Sequence, residues 1–290
     1  MTVIESILMG ILQGILEFLP VSSFGHVTVL EQLMDIPVRG ALLFETLLHV
    51  GTLSAVLIVF HKDVRRILEE LIGIVMDLIA NLHIWFLNRH SATETLPFNK
   101  IISSIYRKMT LLLLLSTCVT AILGFTIRNL ALLSRRSAIA PGIMLLITGV
   151  LLIVTDFSKA GGRVTSPNAR YDHAIWIGIA QGLSVFPGIS RLAFTVCIAL
   201  FCGFDRRLAV KYSFLVSIPA VIGALIVEIP AAAGADLAAS QIWTFVPGMI
   251  AAGLVGYLVI RRLLKITQNL RLSLFAAYCF AAGIVSLILL

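Results

Sequence analysis

Two polar residues lie four positions apart in an otherwise apolar stretch near the start of the chain, Gln13 and Glu17. Residues at i and i+4 share one face of a helix, so the amide and the carboxylate would lie side by side. An oxygen pair of this kind suits a hard divalent cation that keeps several waters, such as Mg²⁺ or Ca²⁺, and it could equally hold a water or orient a neighbour. Two other interpretations stay open: Glu17 pairs with Arg191 and locks two segments together, or Gln13 is an ordinary buried amide.

A hydroxyl and an imidazole follow shortly after Pro20. Ser23 and His26 are three residues apart, within reach of each other on one helical turn. A hydroxyl beside an imidazole is the simplest activated nucleophile pair. The alternative is that Ser22 or Ser23 caps a helix while His26 bonds to a backbone carbonyl.

The run Pro187-Gly188-Ile189-Ser190-Arg191 predicts a tight turn that opens a second helix. Ser190 is a natural N-cap, and the free N–H groups and positive dipole end of the helix would form an anion site. Arg191 adds a fork of donors that suits phosphate oxygens, and Thr195, four residues on, adds a hydroxyl to the same face. The alternative is a capped helix whose Arg191 reaches to the membrane interface.

If the two segments meet tip to tip, a phosphate cradle faces a carboxylate, a nucleophile and a proton carrier. Phosphoryl transfer needs these parts, because catalysis there depends on charge neutralisation and positioning. Since both segments are embedded among apolar stretches, we expect the phosphate to belong to a lipid. Glu45 and His49 are two further ionisable residues within an apolar stretch, and such residues are candidates for function by default.

The composition points to a membrane protein. Of 290 residues, 59% are hydrophobic and 13% are charged, and the mean hydropathy is +1.02, whereas a globular domain has about 25% charged residues. This excludes a disordered chain, a disulfide scaffold and an ordinary cytosolic enzyme. The net charge of +7 is assigned to basic loops that set membrane topology, so no nucleic acid partner is expected. The four cysteines lie in apolar stretches and are interpreted as small hydrophobic residues.

The spacing of apolar residues predicts an all-α polytopic membrane protein. Each span is close to the ~20 residues that a bilayer core needs. The six predicted transmembrane helices are 41–60, 109–127, 139–157, 209–230, 243–262 and 272–290. Residues 3–35 and 173–204 are each predicted to be a re-entrant helix-turn-helix hairpin, because broken helices at membrane depth must line a cavity or lie within protein. In the insertion 61–108, residues 64–86 predict an interfacial helix.

An internal repeat relates the two halves of the chain. Residues 10–14 match residues 178–182, an offset of 168. Each half holds one hairpin and three spans, and three is odd, so an inverted-topology repeat is predicted, with domains 1–157 and 158–290. Basic loops at 61–108, 158–172 and 261–271 place that side in the cytoplasm and both termini outside. Residues 1–38 contain no Lys or Arg, so no cleavable signal peptide is expected.

The motifs Q-x-x-x-E-F-L-P-V-S-S-x-G-H at 13–26 and P-G-x-S-R-x-x-x-T at 187–195 closely resemble the bacterial undecaprenyl-diphosphatase family linked to bacitracin resistance. The resemblance covers essentially the whole chain. It implies a divalent-cation-dependent enzyme of the bacterial inner membrane that cleaves undecaprenyl diphosphate to the monophosphate and inorganic phosphate, recycling the lipid carrier for peptidoglycan and other wall polymers. This chain departs from the family pattern at Gln13, where many members have Glu, at Phe24, and at Leu192 and Ala193.

The resemblance implies roles residue by residue. The family's acidic motif corresponds to Gln13 and Glu17, its Ser/His motif to Ser23 and His26, and its phosphate motif to Ser190, Arg191 and Thr195. We therefore expect a polyprenyl diphosphate phosphatase whose active site faces the outer side. The expected catalytic residues are Glu17, Ser23, His26 and Arg191, the diphosphate ligands Gly188, Ser190, Arg191 and Thr195, and the divalent cation ligands Glu17 and Gln13.

Several alternatives stay open. A lipid-phosphate or anion transporter or flippase could use the same inverted-repeat site, but pure transport does not need Ser23 and His26. The other membrane lipid-phosphatase superfamily expects a late His–Asp pair, and no His follows residue 173. The expected partners are the polyprenyl diphosphate substrate and membrane lipids. A homodimer, the identity of the metal, and the nucleophile (Ser23, His26 or water) are left undecided by the sequence.

Overall fold

The computed structural model describes residues 1–33, 38–90, 95–135, 137, 139–158, 160–233, 239–269 and 271–289. Within these ranges the chain is all helical, with no β-strand, as predicted. The eleven helices are α1 (Val3–Leu16), α2 (Ser23–Leu33), α3 (Val38–Val59), α4 (His61–His90), α5 (Ile105–Arg135), α6 (Ala140–Phe157), α7 (Tyr171–Leu183), α8 (Arg191–Phe201), α9 (Arg206–Ala233), α10 (Ala239–Ile266) and α11 (Leu272–Leu289).

Six helices within the described residues are long and apolar enough to cross a membrane. They are α4 to α6, residues Arg206–Val227 of α9, residues Trp243–Asn269 spanning α10 and the turn after it, and α11. Five of the six coincide with predicted spans. The predicted span 41–60 overlaps α3, of which the fully described stretch Leu43–Val59 is a shorter apolar helix. By contrast, α4, which its mixed sequence predicts to be interfacial, is long and apolar enough to span.

Two pairs of short helices accompany the six long ones, and both lie where the sequence predicts broken helices. α1 and α2 are separated by residues 17–22, and α7 and α8 by residues 184–190. Proline has no N–H for the helical ladder, and Pro20 and Pro187 lie in these two breaks. Each turn also contains a residue in the left-handed region, Ser22 at φ 63° and Gly188 at φ 100°. The re-entrant course of these pairs and the inversion of the second half stay predictions.

Small residues bring the long helices close together. α6 crosses α11 at Gly142 and Gly283, where an ideal Cβ on Gly142 would lie 3.1 Å from the carbonyl oxygen of Gly283. An ideal Cβ on Gly283 would lie 2.9 Å from the carbonyl oxygen of Gly142. Such close backbone approach is how helices pack where water supplies no hydrophobic driving force. The crossing fixes α6, on which the turn between α7 and α8 rests, as described below.

The segment after α4 folds back along that helix. The side-chain amide of Asn81 bonds both backbone groups of Asn99, at 2.9 and 2.6 Å, and Asn88 does the same for Leu96, at 2.9 and 2.7 Å. At the start of α5, the guanidinium of Arg107 forms ion pairs with two α4 carboxylates, Glu70 and Asp77. Polar contacts therefore hold the insertion against its own helix.

Candidate active site

The two turns between the short helices touch each other. An ideal Cβ on Gly25, in the first turn of α2, would lie 2.7 Å from Cα of Gly188 in the second turn. Gly188 adopts φ 100°, a conformation that favours glycine. Thr148 on α6 supports this turn, because its hydroxyl donates to the Gly188 carbonyl at 2.9 Å and accepts the amide of Ser190 at 3.1 Å. The structure thus brings the two predicted segments together at their tips.

Glu17 links the two segments through hydrogen bonds and an ion pair. Its side chain is buried, and its Oε2 accepts hydrogen bonds from the Ser23 hydroxyl at 2.5 Å and from the Gln13 amide at 3.0 Å. Its Oε1 accepts from the guanidinium of Arg191, which comes from α8, 174 positions further along the chain. A buried carboxylate is tolerable only when it is paired and hydrogen-bonded, and here both oxygens are satisfied.

Gln13 orients the carboxylate of Glu17 rather than facing open space. Its Nε2 contacts both Glu17 and Nδ1 of His49, the latter at 3.4 Å. No group of three or more His, Cys, Asp or Glu side chains is placed to hold a metal ion within the described ranges. A Mg²⁺ ion commonly binds through one or two carboxylates plus substrate phosphates and keeps its remaining waters. Glu17 fits that arrangement, and the Gln13 amide would have to rotate to offer its oxygen.

The start of α8 has the features of an anion site. Ser190 is the N-cap, as predicted, with its hydroxyl accepting the amide of Ala193 at 3.2 Å. The positive end of the helix dipole lies at this terminus, beside the side chain of Arg191. Thr195 is fully buried and its hydroxyl donates to the carbonyl of Arg191 at 2.8 Å, so it stabilises the first turn of the helix in this structure.

His26 points away from Ser23. Its Nδ1 lies 2.7 Å from the carbonyl oxygen of Ser22, and its Nε2 lies 2.9 Å from the hydroxyl of Tyr278 on α11. This agrees with the alternative in which the imidazole bonds to a backbone carbonyl. The structure therefore joins Gln13, Glu17, Ser23 and Arg191 and leaves His26 outside that network. The catalytic role of His26 stays a prediction.

A chamber of about 650 Å³ opens beside Glu17. Its polar lining includes Glu17, Ser23, Ser190 and Arg191 from the two turns. The rest is largely apolar and comes from α5 and α9, through residues such as Ile122, Phe125, Val221 and Leu225. A cavity that combines charged side chains with a largely apolar lining suits a ligand with an anionic head and a hydrocarbon tail.

Glu45, His49 and Arg135 also line the chamber, and the sequence alone assigns none of them a specific role. Nη1 of Arg135 lies 2.5 Å from Oε2 of Glu45, and its guanidinium lies 5.6 Å from the ring centroid of Phe24. His49 Nδ1 lies 3.9 Å from Oε2 of Glu17. Glu45 and His49 are four apart on α3 and share one face, a signal that the sequence did carry. Arg135, 90 positions from Glu45 and outside the predicted spans, offered no such signal.

The fold and the site together define a polytopic helical membrane protein with a chamber, lined by Glu17, Ser190 and Arg191, at the junction of two pairs of short helices. The chain belongs to the family described as bacitracin resistance protein BacA, whose model matches residues 6–285. It is similar to the undecaprenyl-diphosphatase of Methanosphaera stadtmanae, at 34% identity over 287 residues (99% of this chain and 98% of that protein).

Two further relatives carry the same name. The undecaprenyl-diphosphatase of Alkaliphilus metalliredigens is 35% identical over 283 residues, 98% of this chain and 97% of that protein. That of Desulfosudis oleivorans is 37% identical over 288 residues, 98% of this chain and 97% of that protein. The family predicted from the motifs is confirmed, and a transporter is not favoured by these relatives.

Proposed function

We propose that the chain is a membrane phosphatase that hydrolyses undecaprenyl diphosphate to undecaprenyl phosphate and inorganic phosphate, recycling the lipid carrier for cell-wall synthesis. The observation that carries this function is the contact of Glu17 with both Ser23 and Arg191 across the two turns. A hydroxyl whose proton is already directed to a carboxylate lies next to a guanidinium and a helix N-terminus. These are the parts that phosphoryl transfer from a diphosphate requires.

The first chemical step assigns a role to each group. Arg191 and the N-terminus of α8 at Gly188 and Ser190 bind the terminal phosphate, and Thr195 supports that turn. Oγ of Ser23 attacks the terminal phosphorus while its proton passes to Glu17 Oε2. The bond from phosphorus to the bridging oxygen breaks, and undecaprenyl phosphate leaves with the electron pair.

In the second step, water attacks the phosphorus of the phosphoserine. One water proton goes to Oγ of Ser23 as it leaves, and the other stays on the released inorganic phosphate. Glu17 returns its proton to solvent. Water attacking the diphosphate directly, and attack by His26 after it rotates away from Tyr278, are the competing routes that a trapping experiment separates.

A divalent cation, Mg²⁺ or Ca²⁺, is part of this proposal. Glu17 would hold it together with the substrate phosphates, with Gln13 as a second ligand after its amide rotates. When bound, the cation neutralises charge on the diphosphate. The support for it is the donor set, since a single carboxylate beside a diphosphate is a common Mg²⁺ environment.

We place the protein in the bacterial inner membrane, with both termini and the active site on the outer side. Basic residues concentrated in the predicted cytoplasmic loops support this orientation. We also place α4 in the membrane interface, although its length would allow it to span. The ion pairs of Arg107 with Glu70 and Asp77 support an interfacial position, because charged side chains are costly in the hydrocarbon core.

Phosphate release from a C55 diphosphate by the purified protein in detergent tests the function. We expect release that stops when EDTA removes divalent cations and resumes when Mg²⁺ or Ca²⁺ is added back. Activity indifferent to EDTA would remove the proposed metal role of Glu17. Transport of the lipid in liposomes without any phosphate release would overturn the phosphatase.

A further inference from the structure

Arg128 on α5 is a cation that lines the chamber and has no partner among the described residues. It makes no hydrogen bond or ion pair with any residue that the structure describes. The two other arginines of the described lining are engaged, Arg191 with Glu17 and Arg135 with Glu45. Each of those pairs is neutral as a unit. Among the described residues of the lining, Arg128 is therefore a positive charge that no carboxylate balances, and an anionic ligand would balance it.

Its position along α5 places Arg128 between the two turns. Four residues earlier on α5, an ideal Cβ on Gly124 would lie 3.5 Å from Cγ1 of Val185, which belongs to the connection between α7 and α8. Seven residues after Arg128 on the same helix, Arg135 lies over the ring of Phe24, the neighbour of Ser23. With a rise of 1.5 Å per residue, Cα of Arg128 is about 6 Å from Gly124 and about 10 Å from Arg135 along the axis.

The surroundings of Arg128 differ from those of Arg191. Arg191 lies at the N-terminus of α8, among Glu17 and Ser190. Arg128 lies along the wall of α5, where Phe125 and Leu132 also line the chamber. A guanidinium on an apolar wall suits an anion that carries a hydrocarbon chain, since the chain can contact the wall while the fork of donors binds the phosphate.

We propose that Arg128 forms a second phosphate subsite, which binds the lipid-linked phosphate of the substrate. This inference rests on the proposed function, in which Arg191 and the start of α8 bind the terminal phosphate. The same contact persists in the lipid monophosphate product, because cleavage leaves that phosphate on the lipid. Arg128 thus governs the affinity for the substrate and for the lipid product, and not the affinity for inorganic phosphate.

The test compares Arg128→Gln with the unmodified protein in detergent micelles. We expect the Kd of a polyprenyl monophosphate, measured by direct titration, to rise about tenfold, as loss of a charge-assisted hydrogen bond implies. The inhibition constant of inorganic phosphate should change by less than about twofold, because no contact to it is lost. Arg128→Lys, which keeps the charge without the fork, should fall between the two proteins.

Arg65→Gln is the matched control, since Arg65 is an exposed arginine of α4 that pairs with Glu69 and is not among the described residues that line the chamber. An unchanged Kd for the polyprenyl monophosphate in Arg128→Gln, with a normally folded variant by thermal melting, overturns the proposal. A weaker inhibition by inorganic phosphate with unchanged lipid binding also overturns it, by assigning Arg128 to the terminal phosphate. The titration needs no turnover, so failure of the unmodified protein to hydrolyse the diphosphate would count against the proposed function alone.

Discussion

The hydroxyl of Tyr278 lies 2.9 Å from Nε2 of His26, and the two rings stack with their centroids 5.5 Å apart. A carbonyl oxygen can only accept, so the contact of Nδ1 with the Ser22 carbonyl places a proton on Nδ1. In the neutral imidazole, Nε2 then accepts the Tyr278 hydroxyl. The Ser22 carbonyl thus sets the tautomer of His26, and Tyr278, 252 positions away, holds the direction of its ring.

Tyr278→Phe tests whether this contact keeps the imidazole of His26 turned away from the chamber. The change keeps the stacked ring and removes one hydrogen bond, so we expect the free energy of unfolding to fall by about 1 kcal/mol. We expect kcat to stay equal or to rise, because His26 becomes free to turn toward the chamber. Phosphate release and thermal melting measure the two effects. A loss of kcat comparable to that of His26→Ala would instead show that the tyrosine contact is itself required.

Arg191→Ala should abolish most of the activity. It removes the donor that contacts Glu17 and the proposed ligand of the terminal phosphate. We expect kcat/KM to fall by a factor that corresponds to a loss of roughly 2–4 kcal/mol in transition-state stabilisation, as for comparable electrostatic donors. The measurement is steady-state phosphate release, with Arg65→Gln as the control for loss of a positive charge. Normal turnover in Arg191→Ala would mean that the anion site is assigned to the wrong residue.

Ser23→Ala should remove a trappable phosphoenzyme. Rapid quenching with a substrate labelled at its terminal phosphate should leave label on the unmodified protein and on His26→Ala, and none on Ser23→Ala. Ser22→Gly is the neighbouring control. It removes the hydroxyl that accepts the Gly25 amide at 3.2 Å, and glycine tolerates φ 63°. No label on any of these proteins would favour direct attack by water.

Gly25→Ala should separate the two turns. The added methyl group would meet backbone atoms of Gly188 at 2.7 and 2.8 Å, and backbone cannot move aside as a flexible side chain can. We expect a loss of about 1–3 kcal/mol in stability and a larger fractional loss of activity, since Ser23 and Arg191 come from opposite turns. Gly223→Ala is the matched control, because its added methyl group meets nothing within 4 Å. Equal activity of the two variants would contradict a functional contact between the turns.

Much of the site could be inferred from the sequence because its charged and polar residues lie within otherwise apolar stretches. Glu17 and Arg191 are charges within apolar stretches, and such charges need partners. The breaks in the helices were equally visible, since Pro20 and Pro187 interrupt the helical ladder for a covalent reason that does not depend on tertiary structure. The sequence allows Glu17 either to bind a metal or to pair with Arg191, and the structure contains that pair.

The remaining features depend on contacts between distant parts of the chain. The direction of His26 is set by Tyr278, and Arg135 is placed by Glu45 and Phe24. Spacing along one helix carries no information about such partners. The insertion was equally hard to interpret, because two of the charged residues that lower the hydropathy of α4, Glu70 and Asp77, bind Arg107 from the next helix.

The paired amide contacts of the insertion have a consequence for its register. Asn81 and Asn88 are seven residues apart on a helix, which is about 10.5 Å. Their partners Asn99 and Leu96 are three residues apart in a segment outside any helix, and three residues of extended chain span about 10 Å. The two separations are nearly equal, so both asparagine side chains can reach their backbone partners only when three residues separate Leu96 from Asn99. Deleting or adding a single residue between Leu96 and Asn99 would leave one amide unable to reach its backbone partner.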